Sequence, residues 1–193
     1  MTAHVRAVHG QSTPDPELVL SVAAGDLDAL GELYSRYARD VWRAVLRVLP
    51  DGAHAEDVVH TAFMKLPEIA ASYDGRARCR NWLCGIGVRL ALRHRRGAGR
   101  FRRMLRAFTD VVVVRPSADP ERGASNAQEL AVLERALAKL GEKKRAVFVL
   151  VELEQLSTEE AAKALEIPPA TVRTRLFHAR QELQEALRKG GAK

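Results

Sequence analysis

At 193 residues, 47% apolar and 28% charged, the chain holds enough apolar material for one or two compact cores, which excludes a disordered polypeptide. No apolar run approaches the roughly 18 residues of a membrane helix, and the opening MTAHVRAVHGQSTPDP has no signal-peptide core, so a soluble cytoplasmic protein is expected. The net charge of +7 is unevenly spread and points to a polyanionic partner.

From Glu17 to Asp74, ten acids stand against five bases, and Leu30, Leu33, Tyr34, Tyr37, Val41, Val45 and Val48 recur at the steps of one helix face. Ala55, Val58, Val59, Ala62, Phe63, Leu66 and Ile69 repeat the signature after a Pro50-Asp51-Gly52 turn, and Pro67 should kink that helix or end it early. A third apolar stretch, Trp82 to Leu92, contains Gly85 and Gly87, which weaken a helix. Its spacing makes Trp82 a core residue ahead of a base-stacking platform, and Trp42 is expected to be partly buried.

Across this third segment the charge inverts. Eleven arginines lie between Arg76 and Arg106 with no acid among them. Every base is Arg and none Lys, which suits bidentate contact with phosphate and stacking on bases. Cys79 and Cys84 are five apart, which fits neither a redox pair nor a zinc knuckle, and His54, His60 and His94 are not at ligand spacing. Reduced thiols, no metal and no cofactor are the expectation.

Residues 107–126 lose the helical pattern and read as a flexible linker, with Val111 to Val114 extended, either as a small strand or laid along a partner. Helical periodicity resumes at Ala127 with a Leu130, Leu133, Leu137, Leu140 stripe and a second stripe of Val147, Leu150, Val151 and Leu153. Ser157-Thr158-Glu159-Glu160 is a capping box that opens a two-turn helix to Leu165, and Pro169 suits the first turn of the next helix. A short capped helix, a tight turn and a longer helix make a helix-turn-helix. Val172, Leu176, Ala179, Leu183 and Leu187 should pack inward. Thr171, Thr174, Arg175 and His178, flanked by Arg173 and Arg180, form an acid-free face suited to the major groove. A solvated face on an ordinary bundle helix is the alternative, but cap, turn and acid-free stretch coincide. The fold class is therefore all-α: a tail over 1–16, a helical domain over 17–106, the linker over 107–126, and a helix-turn-helix domain over 127–193.

Taken together the two domains resemble the extracytoplasmic-function sigma factors of bacterial RNA polymerase, from Asp26 to Leu187. DLDALGELYSRYARDVWRAVLRVL looks like the family's opening helix, AEDVVHTAFMKL its polymerase-binding helix and YDGRARCRNWLCGIGVRLALRHRR its promoter-melting segment. LGEKKRAVFVLVELEQLSTEEAAKALEIPPATVRTRLFHARQEL is similar to region four. The resemblance implies a non-enzymatic initiation factor whose partners are core RNA polymerase, promoter DNA and an anti-sigma factor. It places polymerase binding on Asp57, His60, Thr61 and Met64. Minus-ten contacts fall to Arg76, Arg78, Arg80, Arg89, Arg93, His94 and Arg96, and minus-thirty-five readout to Thr171, Arg173, Thr174, Arg175, His178 and Arg180. The chain departs from the family's usual residues at His60 and Thr61 (Gln and an acid), Arg89 (Asn), Arg93 (often Asp), Cys79 (an aromatic) and Gly141 (Pro), as expected of a divergent member with an unusual promoter.

Two rivals make other predictions. A stand-alone helix-turn-helix regulator binds duplex DNA without polymerase, and a degenerate relative serves as a decoy. The acidic first half facing two basic surfaces suggests a closed free form, with the second domain masked against the first.

Overall fold

The computed structural model describes residues 13–49, 52, 54–106 and 126–190, with backbone alone at 97–106, 126–132 and 189–190. The expected tail up to residue 12, the linker over 107–125 with its four valines, and the side chains of Arg100 to Arg106 lie outside the described residues. Among the described residues every regular element is helical.

Helix α1 (Asp15–Ala23) begins inside the stretch expected as tail. It is held because the Asp15 carboxylate accepts from Arg36 at 2.9 Å and from the Tyr37 hydroxyl at 2.5 Å. Burial and that hydrogen bond push the Tyr37 hydroxyl well above its ordinary pKa. Gly25, at φ +92°, turns the chain, and Asp26 caps α2 (Leu27–Val48) by accepting from the amides of Asp28 and Ala29. The predicted stripe of α2 faces inward: Leu33, Val41, Val45 and Val48 are buried, and only Tyr34 is largely exposed, its ring edge-on to Phe63.

As the proline implied, α3 (Ala55–Met64) stops short, and a separate turn α4 (Leu66–Ile69) carries Pro67 in its first positions, where no intrahelical N–H is needed. A 3-10 turn at Ala70–Ser72 leads to α5, one continuous helix over Cys79–Arg106 that runs through Gly85 and Gly87 without a break. Both glycines are used. A Cβ on Gly87 would stand 2.6 Å from Val41 Cγ1 and 3.1 Å from Val45 Cγ2, so the missing side chain lets α5 cross α2. A Cβ on Gly85 would stand 2.6 Å from Ala164 Cβ in the second domain. Trp82 and Trp42 are both half-buried, Trp82 lying against Tyr73 with ring centroids 5.0 Å apart.

The second domain comprises α6 (Asn126–Lys139), α7 (Glu142–Phe148), a π-helical turn (Val149–Leu153), α8 (Thr158–Leu165) and α9 (Pro169–Gly190). Arg145, buried, donates to the carbonyls of Leu137, Ala138 and Leu140 at 2.7–2.9 Å and so closes the open end of α6. Burial and nearby Arg95 lower its pKa. The capping box forms as expected, Glu160 N donating to Ser157 Oγ at 3.1 Å and Ser157 N to the Glu160 carboxylate at 2.6 Å. Glu166 ends α8 in the left-handed region at φ +56°. Val172, Leu176, Ala179 and Leu183 are buried, whereas Leu187 is 42% exposed and not packed as predicted, because it lies one turn beyond the last buried contact of α9.

The apolar core is continuous between the domains. Val147, Val149, Leu150, Leu156 and Ala161 join the same buried cluster as Leu33, Val45 and Leu83, so the second domain is seated on α2 and α5 of the first.

Candidate nucleic-acid and polymerase interfaces

The three candidate surfaces differ in how open they are. On α3 the inward residues Val58, Val59, Ala62 and Phe63 bind the helix to the core. That anchoring turns Asp57, His60, Thr61 and Met64 outward in one exposed stripe, Met64 at 61%. His54 lies 3.4 Å from the Asp57 carboxylate, and its ring packs at a tilt of 45° against His94 with centroids 4.6 Å apart. A mixed, convex stripe with an exposed thioether suits a protein partner.

On α9 the inward Val172, Leu176 and Ala179 leave Arg173, Thr174, His178 and Arg180 exposed and Thr171 and Arg175 half-buried. Thr174 Oγ1 donates to the Ala170 carbonyl of its own helix, which leaves its oxygen lone pairs for a donor. Arg180 donates to Glu152 at 2.5 and 3.0 Å, and Arg173 is 4.0 Å from Glu159. Phe177, which the sequence reasoning passed over, is 57% exposed beside His178. Its step of four from Arg173 was the available signal.

The arginines of α5 and of the turn before it divide into two sets. Arg76, Arg78 and Arg96 are exposed, and His94 is half-buried. Arg80, Arg89 and Arg93 are engaged by carboxylates of the second domain. Glu154, 1% exposed, accepts from Arg47 at 2.6 Å on one oxygen and from Arg80 at 2.7 Å on the other, with Arg80 also 3.4 Å from Asp40. Burial, the largest influence, opposes the charge on Arg80, but the hydrogen bond to Glu154 together with the nearby Cys84, Glu154 and Asp40 charges outweighs it and the guanidinium pKa rises. Glu166 accepts from Arg89 at 2.5 Å and Arg93 at 3.2 Å. Lys163 pairs with Asp74 at 2.9 Å, and Arg95 with Glu142 at 2.9 Å.

The domains are thus closed on each other, but the expected charge assignment is largely reversed. Among these pairs Asp74 supplies a first-domain acid to a second-domain base, and in the others first-domain arginines take second-domain carboxylates. Glu154 and Glu166 were not singled out from the sequence. Glu154 follows the stretch VFVLVEL, apolar but for Glu152, and no local signal separates the buried Glu154 from Glu152, which pairs with exposed Arg180. Beside Glu154, burial first and that carboxylate second push the Cys84 thiol up to about 12, and burial does the same for Cys79.

Residues 33–101 match Sigma-70 region 2 and residues 130–183 match Sigma-70, region 4. The ECF RNA polymerase sigma-E factor of Escherichia coli (strain K12) is 30% identical over 178 residues, 88% of this chain and 92% of that protein. The chain belongs to the extracytoplasmic-function sigma factors. The RNA polymerase sigma-H factor of Pseudomonas aeruginosa is 28% identical over 180 residues, covering 90% of this chain and 93% of that one. Among solved structures, CnrH in complex with the cytosolic domain of CnrY has a TM-score of 0.60 at 25% identity, over 91% of this chain and 97% of that one. The sigma factor RpoE from Bartonella quintana, in complex with the anti-sigma factor NepR, has a TM-score of 0.66 at 21% identity, over 82% and 96%; it shows the shared fold. As a sigma factor the protein directs promoter-specific initiation, and the chemistry belongs to the polymerase. In the terms of this family α2 to α5 are region two and α6 to α9 region four. Among the described residues no helix is long and apolar enough to cross a membrane.

Proposed function

We propose that this sigma factor docks on core RNA polymerase through the outer stripe of α3, grips the displaced minus-ten strand with the α5 arginines, and reads the minus-thirty-five element with the first turns of α9. The observation that carries the reading is the orientation of α9. Val172, Leu176 and Ala179 are buried, which turns the acid-free set Thr171, Arg173, Thr174, Arg175 and His178, with Arg180, away from the domain core. Threonine hydroxyls and arginine forks supply the donors that base edges and phosphates need.

Arg76 and Arg78 in the turn before α5, with Arg89, Arg93 and Arg96 on it, supply the backbone grip that a melted strand requires, with His94 beside them. Arg80 contributes there once Glu154 has withdrawn. The protein acts in the cytoplasm with its polymerase. An anti-sigma factor is a further partner, a reading supported by the solved relative that carries one.

The test is anisotropy of labelled protein titrated with core RNA polymerase. Saturable binding that a housekeeping sigma factor displaces is expected, and Asp57→Ala should weaken it about tenfold, roughly 1.4 kcal/mol. Specific duplex binding by the lone protein with no polymerase affinity would instead make it a stand-alone regulator.

A further inference from the structure

We propose that region four is a carboxylate clasp on region two: in the free protein Glu154 and Glu166 occupy arginines that otherwise hold promoter DNA, and a nucleic-acid strand must displace them. The proposal rests on the assignment of Arg89 and Arg93 to the melted strand.

Two carboxylates reach four guanidinium groups. Each uses its two oxygens on two different arginines, Arg47 and Arg80 for Glu154, Arg89 and Arg93 for Glu166. Two anionic oxygens spread between neighbouring forks reproduce what a phosphodiester offers the same groups. The two arms differ in strength. The Glu166 side chain is 57% exposed and Arg93 59%, so this arm is screened by salt and open to competition. Glu154 is sealed from water and holds the domains in register.

Gly85 makes the approach possible. The atoms within 4 Å of its missing Cβ belong only to Ala164 of region four, at 2.6 and 3.7 Å. Unlike Gly87, which serves packing within region two, Gly85 is small for the sake of the contact between domains. The closed state also leaves a loose end: the buried Nε–H of Arg89 has no partner among the described residues. An unmade hydrogen bond of this kind is costly, and a phosphate that accepts from both Nε and Nη would satisfy it. Meanwhile Asp57, His60, Thr61 and Met64 remain exposed. The clasp covers part of the region-two DNA face and leaves the polymerase face available.

The experiment uses the full chain without polymerase, a fluorescein-labelled dT20 strand at moderate salt, and small-angle scattering on the same samples. Gly85→Leu drives a side chain into Ala164, and Ala164→Leu does so from the other side; circular dichroism checks that both keep their helices. Either variant should enlarge the scattering radius, make Cys84 but not Cys79 reactive to a thiol reagent, and bind dT20 about tenfold more tightly than wild type. Glu166→Gln, which loosens only the outer arm, should gain about threefold. Adding Arg89→Ala and Arg93→Ala to Gly85→Leu should abolish the gain. An extended wild-type protein overturns the clasp. So does an opened variant with unchanged dT20 affinity when the arginine replacements still weaken it, an outcome that leaves the strand-binding assignment standing. If the arginine replacements have no effect in the opened variant, that assignment falls and the clasp with it.

Discussion

The outer stripe of α3 and the arginine face of α5 belong to the same helical core, yet one is on display and the other is partly covered. Asp57, His60, Thr61 and Met64 are exposed, while Arg80, Arg89 and Arg93 are bound by carboxylates from region four. The difference follows from what each surface must avoid. A mixed stripe facing a protein partner carries little self-repulsion, so exposure costs it little. A run of arginines without an acid of its own repels itself and attracts any polyanion, and borrowing acids from elsewhere in the chain relieves both.

The strongest way to break this contrast is Glu154→Ala. It strands Arg47 and Arg80, and because those side chains are still 32% and 35% exposed the loss should fall at or below the low end for a broken buried ion pair, about 2–3 kcal/mol. Urea unfolding should then separate into two transitions, one per domain, with polymerase affinity retained. Gly87→Ala tests the opposite case, since its Cβ would collide with Val41 and Val45 inside region two. A single-transition loss of about 1–3 kcal/mol is expected, lowering polymerase and DNA binding together at temperatures near the melting point. Ser157→Ala removes the cap of α8 and should cost about 1 kcal/mol, read as a lower midpoint of the single urea transition and, when combined with Glu154→Ala, as a lower midpoint of the region-four transition alone.

The smallest effect is a pH dependence at the rim. The hydrogen bond from Lys163, with a second from the Arg76 amide, holds the Asp74 carboxyl below its ordinary value of 3.8. A carboxyl with a depressed folded-state pKa contributes above its unfolded value and loses that contribution as pH falls through the folded one. Acidification below about pH 4 should therefore loosen this part of the domain contact, and Asp74→Asn should remove that share of the dependence. Scattering radii of the two proteins compared from pH 6 to pH 3 would show it.

Much of the architecture was written in local pattern. The α2 stripe, the early stop before Pro67, the Ser157 capping box and the inward face of α9 each follow from periodicity or from one residue's backbone chemistry, which neighbours in sequence determine. What the pattern did not carry was contact at long range. Gly85 weakens a helix by every local measure and is explained only by Ala164, and Glu154 pairs with Arg47 across 107 positions. Asp15 was assigned to a tail because its partners, Arg36 and Tyr37, lie on another helix. On the candidate DNA surfaces the residue types were legible, but which arginines stand open and which are held was decided by the fold of the other domain.

The π-helical turn at Val149–Leu153 carries a further consequence. Glu154 N donates to the Val149 carbonyl, five residues back, at 2.9 Å, so the chain here holds one residue more than an α-helical turn would. That surplus residue sets the rotational phase at which Glu154 leaves the helix. Deleting one residue from the turn would rotate the carboxylate by about 100° away from Arg47 and Arg80 without changing the charge of any side chain. Two sequences of identical net charge and almost identical composition would then differ in whether the arginine face is covered, the difference residing in helical phase alone.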